Sequence, residues 1–253
     1  MKKLTTILLV ICAQWVYAQK KQPNIVIIIS DDHAFQAISA YGNKQVKTPN
    51  IDRIAKEGVL FNKAYVTNSI CGPSRAVILT GKYSHVNGFK DNENSRFNGD
   101  QDSFIKQLTS VGYQTAWIGK WHLESDPQGF TYWQVLPGQG PYYNPDFSMM
   151  DGTKKTVTGY VTNIIEDEAE QWLDKRDADK PFCLVIGHKA THRTWIPDTA
   201  DYGKYDGVKF PLPKNFYDSY AGREAARVQD MSISKTMVMG YDLKMLSDDT
   251  KEG

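Results

Sequence analysis

The chain has 253 residues, with 30 Lys and Arg against 29 Asp and Glu, a formal net charge of +1 and 41% hydrophobic residues. These values are typical of a globular protein and exclude a disordered or fibrous chain. A nearly neutral chain also gives no electrostatic reason to expect nucleic acid or an anionic membrane as a partner.

The first 18 residues have the pattern of a secretory signal peptide. Two lysines precede a short apolar stretch, and Ala18 ends a small-residue segment suited to cleavage. The stretch is too short, and too interrupted by Gln14, to span a bilayer. Cys12 is disfavoured as a lipid-attachment site because a bulky residue precedes it. We therefore expect an exported protein, periplasmic or secreted, with residues 19–253 as the mature part and no membrane span.

The first folded elements are predicted by two short patterns. Residues 24–30, with the sequence NIVIIIS, form an unbroken β-branched run, which predicts a strand covered on both faces. Thr48 and Pro49 are a capping hydroxyl and a first-turn proline, and Gly58 is a helix terminator. A helix with an apolar stripe at Ile51, Ile54 and Ala55 is expected between them.

Further elements continue the alternation of strand and helix. We predict an extended segment over 59–66, a loop over 87–102, an amphipathic helix around 104–108 and a strand over 113–118. This succession is typical of an α/β fold with a mostly parallel sheet.

The second half of the sequence begins with a long stretch rich in proline, glycine and tyrosine. Residues 125–159 are predicted to be ordered loop rather than helix or central strand, and such loops often shape a binding site. A helix over 161–172, a buried strand over 181–187 and a long mixed helix over 223–246 are expected to follow.

Two cysteines remain after the signal peptide. A disulfide between Cys71 and Cys183 is the ordinary expectation for an exported protein. Their surroundings argue against it, because Cys183 lies within the apolar run PFCLVIG and Cys71 within a polar motif described below. We expect Cys183 to be a small buried core residue.

Polar side chains follow three of the predicted strands, where ligands bind in a wound α/β sheet. They are Asp31 and Asp32, then Lys120 and His122, then His188 and His192. Adjacent carboxylates repel each other unless a cation or a proton lies between them, which favours a metal at the aspartates. The alternative is that one aspartate caps a helix while the other is solvated, and that Lys120 and His122 form a solvated strand end.

Cys71-Gly72-Pro73-Ser74-Arg75 is the most specific segment of the chain. It resembles the C-x-P-S-R signature of the type I sulfatases, in which the cysteine is oxidised to formylglycine (3-oxoalanine). Other segments resemble the same family in the same order, and the resemblance runs from about residue 23 to the C-terminus. These are NIVIIISDD, TPNIDR, LTG, GKWHL and HKATHR.

This resemblance implies a fold and a set of roles. The fold would be alkaline-phosphatase-like, a mixed, mostly parallel sheet sandwiched by helices. Asp31, Asp32 and residue 71 would bind Ca2+, and an enzyme that generates formylglycine would be a maturation partner. The remaining site residues would be Arg75 and Lys120 on the sulfate oxygens, His122 beside residue 71, and His192 as general acid for the leaving alcohol.

The resemblance also implies segments that we do not find. Family members are longer, and a later segment of theirs carries a second pair of metal ligands and another lysine. The nearest candidates, Asp206-Gly207 and Asp248-Asp249, do not follow an apolar strand. We therefore expect residues 19–253 to be the N-terminal portion of a sulfatase catalytic domain whose C-terminal part is missing.

The expected activity is hydrolysis of a sulfate ester on a sugar. The loop 139–145 and the segment 189–195 resemble sulfatases that act on glycosaminoglycan or mucin sugars, with N-acetylglucosamine-6-sulfate favoured as substrate. Two alternatives stay open, a phosphoesterase of the same superfamily and a non-catalytic secreted sugar-binding protein that uses the aromatic loop 132–147.

Overall fold

The computed structural model describes residues 22–229 and 236–244. The predicted signal peptide and Asp248-Asp249 lie outside these residues. The chain forms two compact units. The first unit extends to Ile29 and resumes over Tyr65–Lys189, and the second comprises Ser30–Ala64 and the chain from Ala190 onward.

The described strands form one six-stranded sheet in the first unit, with the order β1-β6-β2-β3-β4-β5. The β1–β6, β6–β2 and β2–β3 pairs are parallel, and β3–β4 and β4–β5 are antiparallel. The sheet is therefore mixed and mostly parallel, as the sequence predicts. The strands are β1 (Ile25–Ile29), β2 (Gln114–Lys120), β3 (Tyr132–Leu136), β4 (Asp146–Met149), β5 (Lys154–Thr156) and β6 (Phe182–Gly187).

The parallel strands end at one edge of the sheet. Ile29, Gly187 and Gly119 lie in one row, and Lys120 is paired with Leu136. Segments that leave β2, β3 and β6 therefore start side by side, and this edge is where the structure places Lys120.

The described helices are mostly short. They are α1 (Pro49–Glu57), α2 (Cys71–Thr80), α3 (Ser84–Asn87), α4 (Phe104–Ser110), α5 (Val161–Lys175), α6 (Glu224–Val228) and α7 (Met239–Leu243). Within residues 22–229 and 236–244, no helix combines the length and the apolar character that crossing a bilayer requires.

Helices of the first unit cover both faces of the sheet. On one face, α2 and α4 contribute Ala76, Leu79 and Ile105 to a core that also contains Trp117 and Val185. On the other face, α5 contacts β2 and β6. The expected sandwich of helices around a sheet is therefore confirmed for β2 and β6.

The first strand differs from the prediction in its burial. β6 is buried on both faces, but Val26 and Ile28 of β1 are 50% and 57% exposed. Among the described residues β1 pairs only with β6 and lies at the edge of the sheet, outside the area covered by α5. The β-branched run predicted the strand correctly, and its expected cover on both faces was wrong.

Helix α1 begins and ends close to the predicted residues, with different contacts. The side chain of Thr48 does not cap it; the Thr48 hydroxyl instead hydrogen-bonds to Asp52 Oδ1 at 3.0 Å and accepts from the Ser39 N–H at 2.9 Å. The predicted stripe is exposed, with Ile51 at 40% and Ile54 at 62%. Apolar spacing alone did not determine burial here.

Three other predictions were wrong in part. Residues 59–66 contain no strand and are largely exposed, with Val59 at 76%. The stretch 125–159 contains β3, β4 and β5, although 137–145 is loop as expected. The described part of 223–246 holds the two short helices α6 and α7 instead of one long helix. Pairing of β3 with β2 is a contact between distant segments, which local composition does not reveal.

Candidate active site

Cys71 is the first residue of α2, at the point where an extended chain enters the helix. The preceding Ile70 has φ −116° and ψ 143°. The dipole of a helix is positive at its N-terminus, which favours an anion there. The Cys71 thiol is half-buried at this end of α2.

Both described cysteines are free, so no disulfide joins them. Cys183 is fully buried in β6, and burial raises the pKa of its thiol to about 11. Its predicted role as a small core residue is confirmed.

Arg75 lies one turn after Cys71 on α2 and is 2% exposed. Its Nη1 donates to the backbone carbonyl of Lys120 at 2.9 Å. The same carbonyl accepts from the indole N–H of Trp117 at 3.0 Å. The guanidinium is therefore fixed to the end of β2 through the main chain, and Gly187 keeps this approach open, since a Cβ there would lie 2.5 Å from the Lys120 carbonyl oxygen.

Lys120 is the last residue of β2, and it is fully buried. Its ammonium group donates to the side-chain carbonyl of Gln139. The pairing of Lys120 with Leu136 explains this contact, because the loop that carries Gln139 starts three residues earlier beside Lys120. A buried ammonium group requires such polar partners.

His122 follows β2 in a left-handed backbone conformation, with φ 54°, and is 8% exposed. Such a conformation is strained for a residue other than glycine and is concentrated at functional sites. His122 Nε2 lies 3.4 Å from Gln139 Nε2. Both polar residues predicted after this strand are therefore buried and are not a solvated strand end.

Two amide side chains contact Cys71 that the sequence analysis did not single out. Asn92 Nδ2 donates to Cys71 Sγ at 3.4 Å, and Gln139 Nε2 to the same sulfur at 3.9 Å. Asn92 is oriented by the Gly72 N–H, which donates to its Oδ1 at 3.1 Å. Asn92 lies in the predicted loop 87–102 and Gln139 at the start of the loop 139–145, and the sequence distinguished neither side chain from its neighbours in the loop.

Lys189 is a third residue whose role the sequence analysis missed. It is 5% exposed, its Nζ donates to the Gln139 backbone carbonyl at 3.3 Å, and it lies 5.0 Å from the Tyr142 ring centroid. These contacts place a second buried ammonium group on the Gln139 loop. We call the whole set the Cys71 cluster: Cys71, Arg75, Asn92, Lys120, His122, Gln139 and Lys189.

The second unit holds the other predicted site residues. The Asp31 N–H donates to the Ala190 carbonyl at 2.9 Å, and the Thr191 N–H donates to the Asp31 carbonyl at 2.7 Å. The segments after β1 and β6 thus stay hydrogen-bonded to each other. Asp32 has φ 56°, and its Oδ2 lies 3.6 Å from His192 Nε2.

The two aspartates fit calcium in the kind of donor that they offer. Carboxylate oxygens are the ligands that calcium prefers, and Asp31 is 6% exposed while the Asp32 side chain is 61% exposed. Among the described residues, His, Cys, Asp and Glu side chains form no group of three or more that could hold a metal ion. Asp32, one of the two predicted metal-binding aspartates, lies beside the predicted general acid His192 within the second unit.

His188, the other histidine that follows β6, lies in the first unit. Its backbone N–H donates to the Ile29 carbonyl at 2.8 Å, and burial lowers the pKa of its imidazole. A half-buried imidazole whose surroundings disfavour the charged form suits a structural role better than that of a general acid.

Comparison with known proteins identifies the family. The sequence model of the sulfatase family matches residues 23–241. An N-acetylglucosamine-6-O-sulfatase from Bacteroides thetaiotaomicron is 50% identical over 248 residues, which cover 96% of this chain and 44% of that protein. The human N-acetylgalactosamine-6-sulfatase is 31% identical over 248 residues, covering 84% of this chain and 48% of that protein.

A solved structure agrees with these relatives. It contains a protein in complex with its substrate D-glucosamine-2-N,6-O-disulfate, with a TM-score of 0.86 and 52% sequence identity. The match covers 90% of this chain and 47% of the solved chain. The chain thus spans about half the length of the relatives that it matches.

Proposed function

The chain belongs to the sulfatase family, and on that premise we propose that it forms the nucleophile-bearing part of an exported enzyme that hydrolyses a sulfate ester on a sugar. The observation that carries this proposal is the Cys71 cluster. A half-buried thiol at a helix N-terminus lies among buried cationic and amide side chains. This arrangement can hold an anion against residue 71.

Arg75 and Lys120 bind the non-bridging oxygens of the sulfate. A sulfate ester is anionic and repels anionic nucleophiles, so fixed positive charges are needed before a nucleophile can approach sulfur. Both side chains are buried and are held by protein contacts, Arg75 at the Lys120 carbonyl and Lys120 at the Gln139 side chain. Their fixed positions support a role in the transition state as well as in binding.

Residue 71 is the nucleophile after its conversion to formylglycine by a maturation enzyme. The hydrated aldehyde supplies one hydroxyl that attacks sulfur and a second hydroxyl whose deprotonation allows sulfate to be expelled. Cys71 is a free thiol faced by N–H donors, which are partners suited to hydroxyl oxygens. His122 is the hydrogen-bonding partner of residue 71 in this proposal.

Asp31, Asp32 and residue 71 are proposed ligands of calcium. When bound, this metal would supply charge that lowers the pKa of the attacking hydroxyl and favours binding of the sulfate. His192 donates a proton to the departing alcohol oxygen as general acid. The contact between His192 and Asp32 supports a common functional role for these two residues.

The proposed substrate is a glycan that carries 6-O-sulfated glucosamine, from glycosaminoglycan or mucin. The named activity of the relative that is 50% identical, and the disulfated glucosamine bound in the solved structure, support this class. The signal-peptide pattern of residues 1–18 supports action in the periplasm or outside the cell.

The test is sulfate release by the chain co-expressed with a formylglycine-generating enzyme. With N-acetylglucosamine-6-sulfate as substrate, Cys71→Ala should reduce turnover to background while the circular dichroism spectrum stays unchanged. Cys183→Ala is the matched control, since it removes a thiol from the core and should leave sulfate release intact. A Cys71→Ala protein with full activity would exclude the proposal. In a second assay, faster cleavage of an aryl phosphate than of the corresponding aryl sulfate would indicate a phosphoesterase instead.

A further inference from the structure

The side chains of Asn92 and Gln139 face residue 71 from two different loops. Asn92 lies between α3 and α4, and Gln139 between β3 and β4. Each brings an amide NH2 group to Cys71 Sγ, at 3.4 and 3.9 Å. The position that carries the sulfur thus faces two neutral donors, one of which, Gln139, also binds the Lys120 ammonium group.

The contacts of each amide fix which end points at residue 71. The Lys120 ammonium group is a donor only, so the group of Gln139 that faces it is the carbonyl oxygen, and the NH2 group points the other way. The Gly72 N–H fixes Asn92 in the same manner by donating to Oδ1. Both NH2 groups are therefore oriented by protein contacts, independently of any ligand.

The backbone around these residues restricts their movement. The Gly140 N–H donates to the Pro137 carbonyl at 3.1 Å, which closes a turn around Gln139, and Lys189 Nζ donates to the Gln139 carbonyl. At Gly72 an added Cβ would lie 2.6 Å from Asn92 Oδ1, so the backbone of α2 approaches this amide closely. Side chains held this way can orient a neighbouring group at little entropic cost.

From this geometry we infer that Asn92 and Gln139 are positioning residues that hold residue 71, once it is formylglycine, in its hydrated form with one hydroxyl directed at the substrate. This inference rests on the proposed function. The hydrate has two hydroxyl oxygens on one tetrahedral carbon and can offer a separate acceptor to each of the two amides. The aldehyde must share its single oxygen between them. We therefore expect the two donors, which come from different loops, to shift the equilibrium between aldehyde plus water and hydrate toward the hydrate.

Gln139 has a second effect through Lys120. Its amide carbonyl binds the ammonium group while its NH2 group contacts residue 71 and His122, so one side chain sets the spacing of three members of the cluster. Gln139 acts through these groups and not on the sulfur atom of the substrate. Its loss should accordingly lower kcat more than it raises KM.

The experiment compares Asn92→Ala, Gln139→Ala and the double variant with the parent chain and with Gln171→Ala. Gln171 is exposed on α5, outside the cluster, and serves as the matched control. Formylglycine content is first measured by mass spectrometry, so that rates refer to converted protein. Two quantities are then determined, namely kcat and KM for sulfate release, and the rate at which an aminooxy probe labels residue 71. The probe condenses with the aldehyde to form an oxime and water, and it does not react with the hydrate.

Each single variant should lower kcat about 10-fold, with KM changed less than about 3-fold, which corresponds to one lost hydrogen bond to the reacting group. The oxime should form several-fold faster, and Gln171→Ala should match the parent chain. Labelling at the parent rate in both single variants would overturn the inference, even where kcat falls. A parent chain that releases no sulfate would contradict the proposed function, and the labelling rates would still decide between positioning and a merely structural role.

Discussion

The two units of the chain differ in what holds their functional residues in place. Every buried apolar side chain in the described part of the chain belongs to the first unit, whereas the buried residues described in the second unit are the polar Asp31, Thr194 and Asp242. The Cys71 cluster is therefore built on a hydrophobic core. Asp32 and His192 are positioned by hydrogen bonds and short turns.

The two units thus support their functional groups in different ways. Fixed charges next to a developing negative charge act best when they do not reorganise, and a packed sheet provides such rigidity. Carboxylates that bind a cation need less support from a core, because the ion itself draws them together. The contrast predicts that substitutions in the two units have different consequences.

The largest difference is expected for matched leucines. Leu184 on β6 is fully buried, and Leu212 in the second unit is 58% exposed. Leu184→Ala should lower the free energy of unfolding by about 2 to 5 kcal/mol, because it removes buried methyl groups and leaves a cavity. Leu212→Ala should stay within about 0.5 kcal/mol. Urea denaturation measures both, and equal losses would refute the contrast between the units.

A smaller loss of stability is expected when a methyl group is added to the backbone at the edge of the sheet. A Cβ at Gly187 would lie 2.5 Å from the Lys120 carbonyl oxygen and 3.3 Å from Arg75 Nη1. Gly187→Ala should cost about 1 to 3 kcal/mol of stability and should also raise KM, since Arg75 is displaced. Gly152→Ala is the control: its added methyl meets nothing within 4 Å, although its φ is +82°. It should leave KM unchanged, and an unaltered KM in Gly187→Ala would contradict the anchoring of Arg75.

In the second unit, removal of a carboxylate should have little effect on the apo protein. The Asp32 side chain is mostly exposed and its contact with His192 is 3.6 Å long. Asp32→Asn should change the free energy of unfolding by less than about 1 kcal/mol without calcium. The rise in melting temperature on adding calcium to the parent chain should be lost in the variant. Equal stabilisation of both proteins by calcium would remove Asp32 from the proposed ligand set.

The smallest effect concerns the cysteine in the core. Because burial raises the pKa of the Cys183 thiol to about 11, almost none of it is thiolate at pH 8. Iodoacetamide should leave Cys183 unmodified in the folded chain at that pH, and labelling should increase only as the pH approaches 11. Peptide mapping by mass spectrometry reads this out, with urea-unfolded chain as the positive control. Rapid labelling of folded protein at pH 8 would show that the core opens.

The strands and the charged residues of the site were predictable where one segment of sequence contains the whole signal. The runs NIVIIIS and PFCLVIG predicted β1 and β6, and the C-x-P-S-R motif singled out Cys71 and Arg75, which the structure places one helical turn apart. Lys120 followed from its place at the end of a predicted strand. These signals are local, and the strands and site residues that they predict lie in the first unit or lead directly out of it.

The remainder depends on contacts between distant segments. Residues 59–66 have strand propensity but lack a pairing partner, and β3 gains one only because β2 lies beside it. Asn92 and Gln139 meet residue 71 because two loops return to α2, which no pattern within either loop indicates. Burial of β1 also depends on whether a helix covers the strand, and its side chains Val26 and Ile28 are exposed.

Lys120 also takes part in the site through its peptide group. Its backbone carbonyl accepts from both Arg75 and the Trp117 indole, whichever side chain the residue carries. A substitution at position 120 therefore deletes one ammonium group and keeps the acceptor that holds the arginine. Alanine scanning therefore measures only the contribution of the side chain, and exchange of the amide linkage for an ester, which weakens the carbonyl as an acceptor, would measure the contribution of the peptide group.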